Sequence, residues 1–160
     1  MSETTMQNDN DPSSPEVTHS GPLGQEPPVA SVVGIYHVRL PVSDVLLSRD
    51  WYARILGFEP VLAYEEEDRV VGVALRHPSG IRLGLHFEPD RAPALRGFAV
   101  LSLRVSTMAD LQAWSAHFQR LGVEHSGIAA GHPGLRLQVA DPGGICVELH
   151  TIGHPTTDDA

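Results

Sequence analysis

The sequence predicts an α+β fold: two tandem βαβββ units whose curled, mixed sheets form a cup. Two observations predict it. The stretch Asp141 to Thr151 (DPGGICVELHT) has an earlier near-copy at His77 to His86 (HPSGIRLGLH). Pro78 falls over Pro142, Gly80 over Gly144, Ile81 over Ile145, Leu85 over Leu149 and His86 over His150. The chain therefore reads as a duplication. Around each copy the hydrophobic period changes in one order: strand, helix, strand, strand, strand. One slot differs between the copies, with Gly84 standing where Glu148 stands.

In the first unit, Gly34 to Val42 alternates, with Val38, Leu40 and Val42 on one face and His37 and Arg39 on the other. Ser43 or Asp44 caps a helix in which Leu47, Trp51 and Ile55 recur at helical spacing, with Tyr52 and Leu56 beside them. Gly57 occupies the usual glycine position just past a helix. Strands follow over Phe58–Glu65 and Arg69–Arg76, joined by the acidic turn Glu66 to Asp68. The turn at Pro78, Ser79 and Gly80 leads into a fourth strand, Ile81–Phe87.

After a linker over residues 88–96 the pattern restarts. Phe98–Val105 reads as a strand, with Leu101, Leu103 and Val105 opposite Val100, Ser102 and Arg104. Thr107 followed by Asp110 resembles a capping box. Leu111, Trp114, Phe118 and Leu121 then mark a helix face that Gly122 ends. Strands are expected near Val123–Ile128 and Leu135–Val139. The closing strand alternates Ile145, Val147 and Leu149 with Cys146, Glu148 and His150.

The chain has room for one domain, expected over residues 31–152 with units at about 33–87 and 97–151. Residues 1–30 carry five acids, no basic residue and almost no large apolar side chains, and read as a disordered acidic tail. They have neither the basic start nor the apolar run of a secretory signal. Residues 153–160 read as a short second tail. The net charge of −9 falls to −2 on residues 31–150, so nothing points to nucleic acid, and no apolar run is long enough to cross a membrane. Every basic residue is arginine, which removes Schiff-base chemistry and lysine phosphate loops. The lone Cys146 precludes an internal disulfide, fits a cytoplasmic setting, and reads as a small core residue.

With one face of each sheet covered by its helix, the other face carries residues unusual for a sheet interior. These are His37, Arg39, Arg82, Gly84, His86, Ser102, Arg104, Glu148 and His150. Gathered in a cup, they form a concave polar site for a ligand. His37 could instead pair with Glu148, and Arg39 or Arg104 could neutralise that carboxylate. His19 and His154 fall in the tails, and His77, His117, His125 and His132 read as surface residues.

The stretches YHVRLPVSD (36–44), RILGF (54–58), LGV (121–123) and DPGGICVELH (141–150) resemble the vicinal oxygen chelate superfamily. That superfamily includes glyoxalase I, bleomycin-resistance proteins, fosfomycin-resistance enzymes and type I extradiol dioxygenases. The resemblance spans residues 33–151. It implies that metal ligands, where present, occupy the first and fourth strands of each unit, slots held here by His37, Gly84, Val100 and Glu148. Two of those are ligands and two are not, unlike the glyoxalase I and extradiol patterns. A third ligand would have to be His86 or His150, each displaced by two residues, about 7 Å along its strand.

Two functions follow from the resemblance. In the first, the cup binds a small organic molecule as bleomycin-resistance members do, with Arg39, Arg82, Arg104, Ser102, His86 and His150 as ligand contacts. Loss of two ligand slots favours this reading. In the second, the chain is a metal-dependent lyase or dioxygenase. One divalent ion (Fe, Mn, Ni or Zn) would sit on His37 and Glu148, with Glu148 as ligand or base. The resemblance also implies a homodimer.

Overall fold

Residues 32–131 and 134–152 are described by a computed structural model. The two tails, with His19 and His154, and His132 lie outside the described residues. Each half folds as strand, helix and three strands, the two-unit α+β arrangement expected. The first half comprises β1 (Val38–Val42), α1 (Val45–Leu56), β2 (Glu59–Glu66), β3 (Arg69–Arg76) and β4 (Arg82–Phe87). A 3₁₀ turn (Ala92–Leu95) leads to β5 (Ala99–Arg104), α2 (Met108–Arg120), β6 (Ala129–Ala130), β7 (Leu135–Ala140) and β8 (Cys146–His150).

The sheets run β1-β4-β3-β2 and β5-β8-β7-β6, and among the described residues no strand pairs across from one to the other. In both, the first and fourth strands are parallel and the remaining pairs antiparallel. Register makes the duplication concrete. Arg39 pairs with Gly84 and Pro41 with His86, while Ser102 pairs with Glu148 and Arg104 with His150. On the other side of the fourth strand, Ala74 and Gly72 oppose Gly84 and His86, as Gln138 and Arg136 oppose Glu148 and His150.

Alternation places Leu40, Val42, Val73, Leu75, Leu83 and Leu85 on the buried face beneath α1. Leu101, Leu137, Val139, Val147 and Leu149 do the same beneath α2, and both sets join one core. At about 25 cal/mol per Å² of buried apolar surface, this core is what holds the helices to the sheets. Asp44 caps α1 by accepting the Leu47 N–H at 2.9 Å, and Gly57 closes it at φ 75°. The helix presents Val45, Ser48, Tyr52 and Ile55 to the core, and the expected Leu47 is exposed. Ser48 is small enough to sit under the helix, so the buried stripe is rotated from the most apolar positions. Thr107 and Asp110 cap α2 reciprocally, Asp110 N–H to Thr107 Oγ1 and Thr107 N–H to Asp110 Oδ2.

The expected strand at Val123–Ile128 is instead a loop, and pairing is confined to Ala129–Ala130 and one bridge from His125 to Val139. Gly127, at φ 73°, turns the chain away from β7. Three histidines expected at the surface are half-buried and structural. His117 Nε2 donates to the Ile55 carbonyl at 3.1 Å, tying α2 to the end of α1. His77 packs on Phe58, and His125 on Phe118. No helix among the described residues is long and apolar enough to cross a membrane.

Candidate functional site

The non-helical faces of the two sheets differ. Three slots that face outward on β3 and β4 hold Gly72, Ala74 and Gly84, so the first sheet is hollowed where the second carries Arg136, Gln138 and Glu148. The resulting cavity is about 630 Å³ and lined by the first half alone, with His37, Arg39, Arg82 and His86 among its walls. Four of the residues expected in the site are thus brought together.

His86 occupies the space that the glycines leave. A Cβ added at Gly84 would lie 3.3 Å from His86 Nε2 and 3.6 Å from His37 Cδ2. A Cβ at Gly72 would lie 3.6 Å from His86 Nδ1 and 3.4 Å from Tyr64 Cδ2. Sequence spacing places His86 about 7 Å from the Gly84 slot along the strand. The imidazole leans back over it because no side chain stands in the way. Tyr64 lies nearly parallel to His86 at 23°, with centroids 6.5 Å apart.

Charge in this hollow is mainly positive. Arg82 rests on the Tyr36 ring at 5.3 Å, and Tyr36 meets His37 edge-on. Arg76 reaches Glu59 at 3.6 Å, whereas Arg39 and Arg82 meet no carboxylate among the described residues. Burial and then the Arg39 guanidinium lower the His86 pKa below its ordinary 6.5; Glu88 opposes this and His37 adds a little to it. The ring is therefore held neutral at neutral pH.

The second sheet carries the other expected residues. Glu148 accepts from Ser102 Oγ at 3.3 Å and Gln138 Nε2 at 3.0 Å, with Arg136 Nη1 at 3.9 Å. Its partners are therefore Ser102, Gln138 and Arg136; His37, Arg39 and Arg104 are not among them. His150 Nδ1 donates to the Thr151 carbonyl at 2.6 Å, and Arg104 is exposed beside it. Val100 is the extra residue of a bulge between Ala99 and Leu101, and packs against the core. Burial, reinforced by Glu148, raises the Cys146 pKa, which suits a small inert thiol.

Of the four strand slots, His37 and Gly84 adjoin in the hollow, and Glu148 sits in its own network on the other sheet. Among the described residues no three His, Cys, Asp or Glu side chains stand close enough to hold a metal ion. Tyr64, Gly72, Ala74 and Arg76 also line the cavity and went unrecognised in the sequence. Gly72, Ala74 and Arg76 share one phase of β3, opposite Val73 and Leu75, and that alternation is the signal that could have found them.

Residues 34–149 match the family model described as Glyoxalase/Bleomycin resistance protein/Dioxygenase superfamily. The fold is shared with a glyoxylase/bleomycin resistance protein/dioxygenase domain from Frankia sp. EAN1pec, 21% identical over 76% of this chain and 93% of that one, TM-score 0.60. It is shared with TnmS3, an antibiotic binding protein from Streptomyces sp. CB03234, at 24% identity over 76% and 100%, TM-score 0.60. The fosfomycin resistance protein FosX from Listeria monocytogenes aligns at 15% identity over 80% and 98%, TM-score 0.60. No curated protein sequence matches the chain.

Proposed function

Because the chain belongs to the glyoxalase/bleomycin resistance protein/dioxygenase superfamily, we propose that it binds a small organic acid in the hollow of its first sheet. The observation that carries this is a cavity of about 630 Å³ in which Arg39 and Arg82 face no carboxylate among the described residues. Guanidinium forks left without an acid match the bidentate geometry of a carboxylate or phosphonate. TnmS3, described as an antibiotic binding protein, has this fold and gives binding a precedent.

The hollow is open on one side. A homodimer in which a second copy brings Ser102, Arg104, Glu148 and His150 over it would close the cup, and the half-buried, unpaired Cys146 suits a cytoplasmic setting. The test is thermal shift with a panel of carboxylates and phosphonates, on wild type, Arg39→Ala and Arg82→Ala. Stabilisation of the wild type that disappears in both variants supports the reading. No stabilisation by any acid, or equal stabilisation of all three proteins, overturns it.

A metal-dependent lyase or dioxygenase is the second reading, and one observation favours it. His86 fills the slot left by Gly84 and stands beside His37, so Glu148 from a second copy would complete a two-His, one-carboxylate set. Such an ion would polarise vicinal substrate oxygens. FosX has been seen with Mn(II) and sulfate, and a mutant of it with Mn(II) and a dihydroxypropylphosphonic acid. Elemental analysis of untagged protein separates the readings. Near-stoichiometric Fe, Mn, Ni or Zn that disappears in Glu148→Ala supports the enzyme. Protein that is metal-free and rejects all four ions excludes it.

A further inference from the structure

The hollow has a shape and a polarity gradient as well as a charge. Two rows of residues cross its four strands. One runs Arg39, Gly84, Ala74, Leu62 and the other Pro41, His86, Gly72, Tyr64. The first passes from a guanidinium, over two residues with little or no side chain, to an exposed leucine. Four strands at about 4.8 Å spacing make such a row about 14 Å long. In the second row, Gly72 separates two rings that lie within 23° of parallel. A bulky or strongly puckered molecule gains little from that surface, whereas a flat conjugated one covers the ring faces that the glycines allow to lie flat on the sheet.

Resting on the binding reading above, we infer that the ligand is a planar aromatic molecule with one anionic group. Its flat body lies along Ala74 and against the Tyr64 and His86 rings that close over Gly72 and Gly84, and its anion meets Arg39. The equivalent face of the second sheet cannot do this, because Arg136, Gln138 and Glu148 rise from the matching positions. The two glycines are therefore the specificity-determining residues. A methyl group at Gly84 would stand 3.3 Å from His86 Nε2, so the ring must move for the side chain to fit.

The test is calorimetric titration of the full chain with three probes: 2-naphthoate, its saturated counterpart decahydro-2-naphthoate, and the neutral 2-naphthamide. NMR follows the His86 ring protons. We expect 2-naphthoate to bind about tenfold more tightly than either comparator, the scale of one charge-assisted contact or one aromatic stacking pair. The His86 signals should move upfield with it. Arg39→Ala should weaken the naphthoate about tenfold and leave the naphthamide unchanged. Gly84→Ala should weaken both aromatic probes and spare the saturated acid. Equal binding of the saturated acid, or failure of all three probes while a non-planar acid from the thermal-shift panel perturbs His86, overturns the inference and leaves the binding reading standing. If neither the probes nor any acid perturbs His86, both fall.

Discussion

Tyr52 on α1 donates its hydroxyl to Asp141 Oδ2 at 3.2 Å, joining two buried polar groups 89 residues apart. The other carboxylate oxygen accepts the Ile145 N–H at 2.9 Å, so Asp141 both shapes the turn before β8 and ties it to the first helix. Burial, then the negative charge of Asp141 and the hydrogen bond to it, raise the Tyr52 pKa far above its ordinary 10.0, and the hydroxyl remains a donor throughout the accessible range.

Tyr52→Phe should therefore lower stability by about 1–3 kcal/mol, since it leaves a buried acceptor without its donor. Urea unfolding of the variant beside wild type measures this. A change below a few tenths of a kcal/mol would show that water replaces the hydroxyl.

Burial also raises the Asp141 pKa above 3.8, against hydrogen bonds from Ile145, Tyr52, Gly143 and Gly144 that lower it. The folded state then holds this proton more tightly than the unfolded state. Its contribution is complete below pH 3.8 and declines as pH rises through the folded value. Asp141→Asn should remove that decline, so the variant gains relative to wild type across this window. Melting temperature against pH tests the sign, and a variant-minus-wild-type difference that falls with rising pH would contradict it.

His86 titrates in the opposite sense. With its pKa lowered beneath 6.5, the folded state binds the proton more weakly than the unfolded chain, so stability is full above 6.5 and lost as pH falls below it. An NMR titration should give a His86 midpoint below 6.5, and Arg39→Ala should raise it by removing the largest of the three charge effects. A midpoint unmoved by that substitution would place the cause in burial alone.

The β2–β3 hairpin turns on Glu67 and Asp68, both left-handed at φ 48° and 60°. Such a two-residue turn favours Asn-Gly, and a glutamate there costs about 1 kcal/mol. The double variant Glu67→Asn, Asp68→Gly should raise the unfolding free energy by about 1–2 kcal/mol without altering the hollow. Unchanged stability would mean that tertiary contacts already offset the strain.

The architecture was legible because the duplication repeats prolines, glycines and apolar residues at fixed offsets. The register then places Gly84 and Glu148 in equivalent slots. The grouping of His37, Arg39, Arg82 and His86 follows from strand alternation alone. Their neighbours were harder to read. Tyr64 reaches the row of His86 only through two irregularities in β2, near Leu62 and Glu65, which no periodicity reveals. The lean of His86 depends on missing Cβ atoms in two strands at once. The division of polar residues between the two sheet faces also exceeds what spacing can give, because it depends on how the halves pack through their helices.

The duplicated register also makes one half a blueprint for the other. Arg136→Gly, Gln138→Ala and Glu148→Gly would copy the small residues Gly72, Ala74 and Gly84 onto the second sheet, position for position. Of these three, only Glu148 collects hydrogen bonds from both neighbouring strands, so its removal would free Ser102 and Gln138 at once. A chain carrying all three changes would have the same small-residue floor on both sheets.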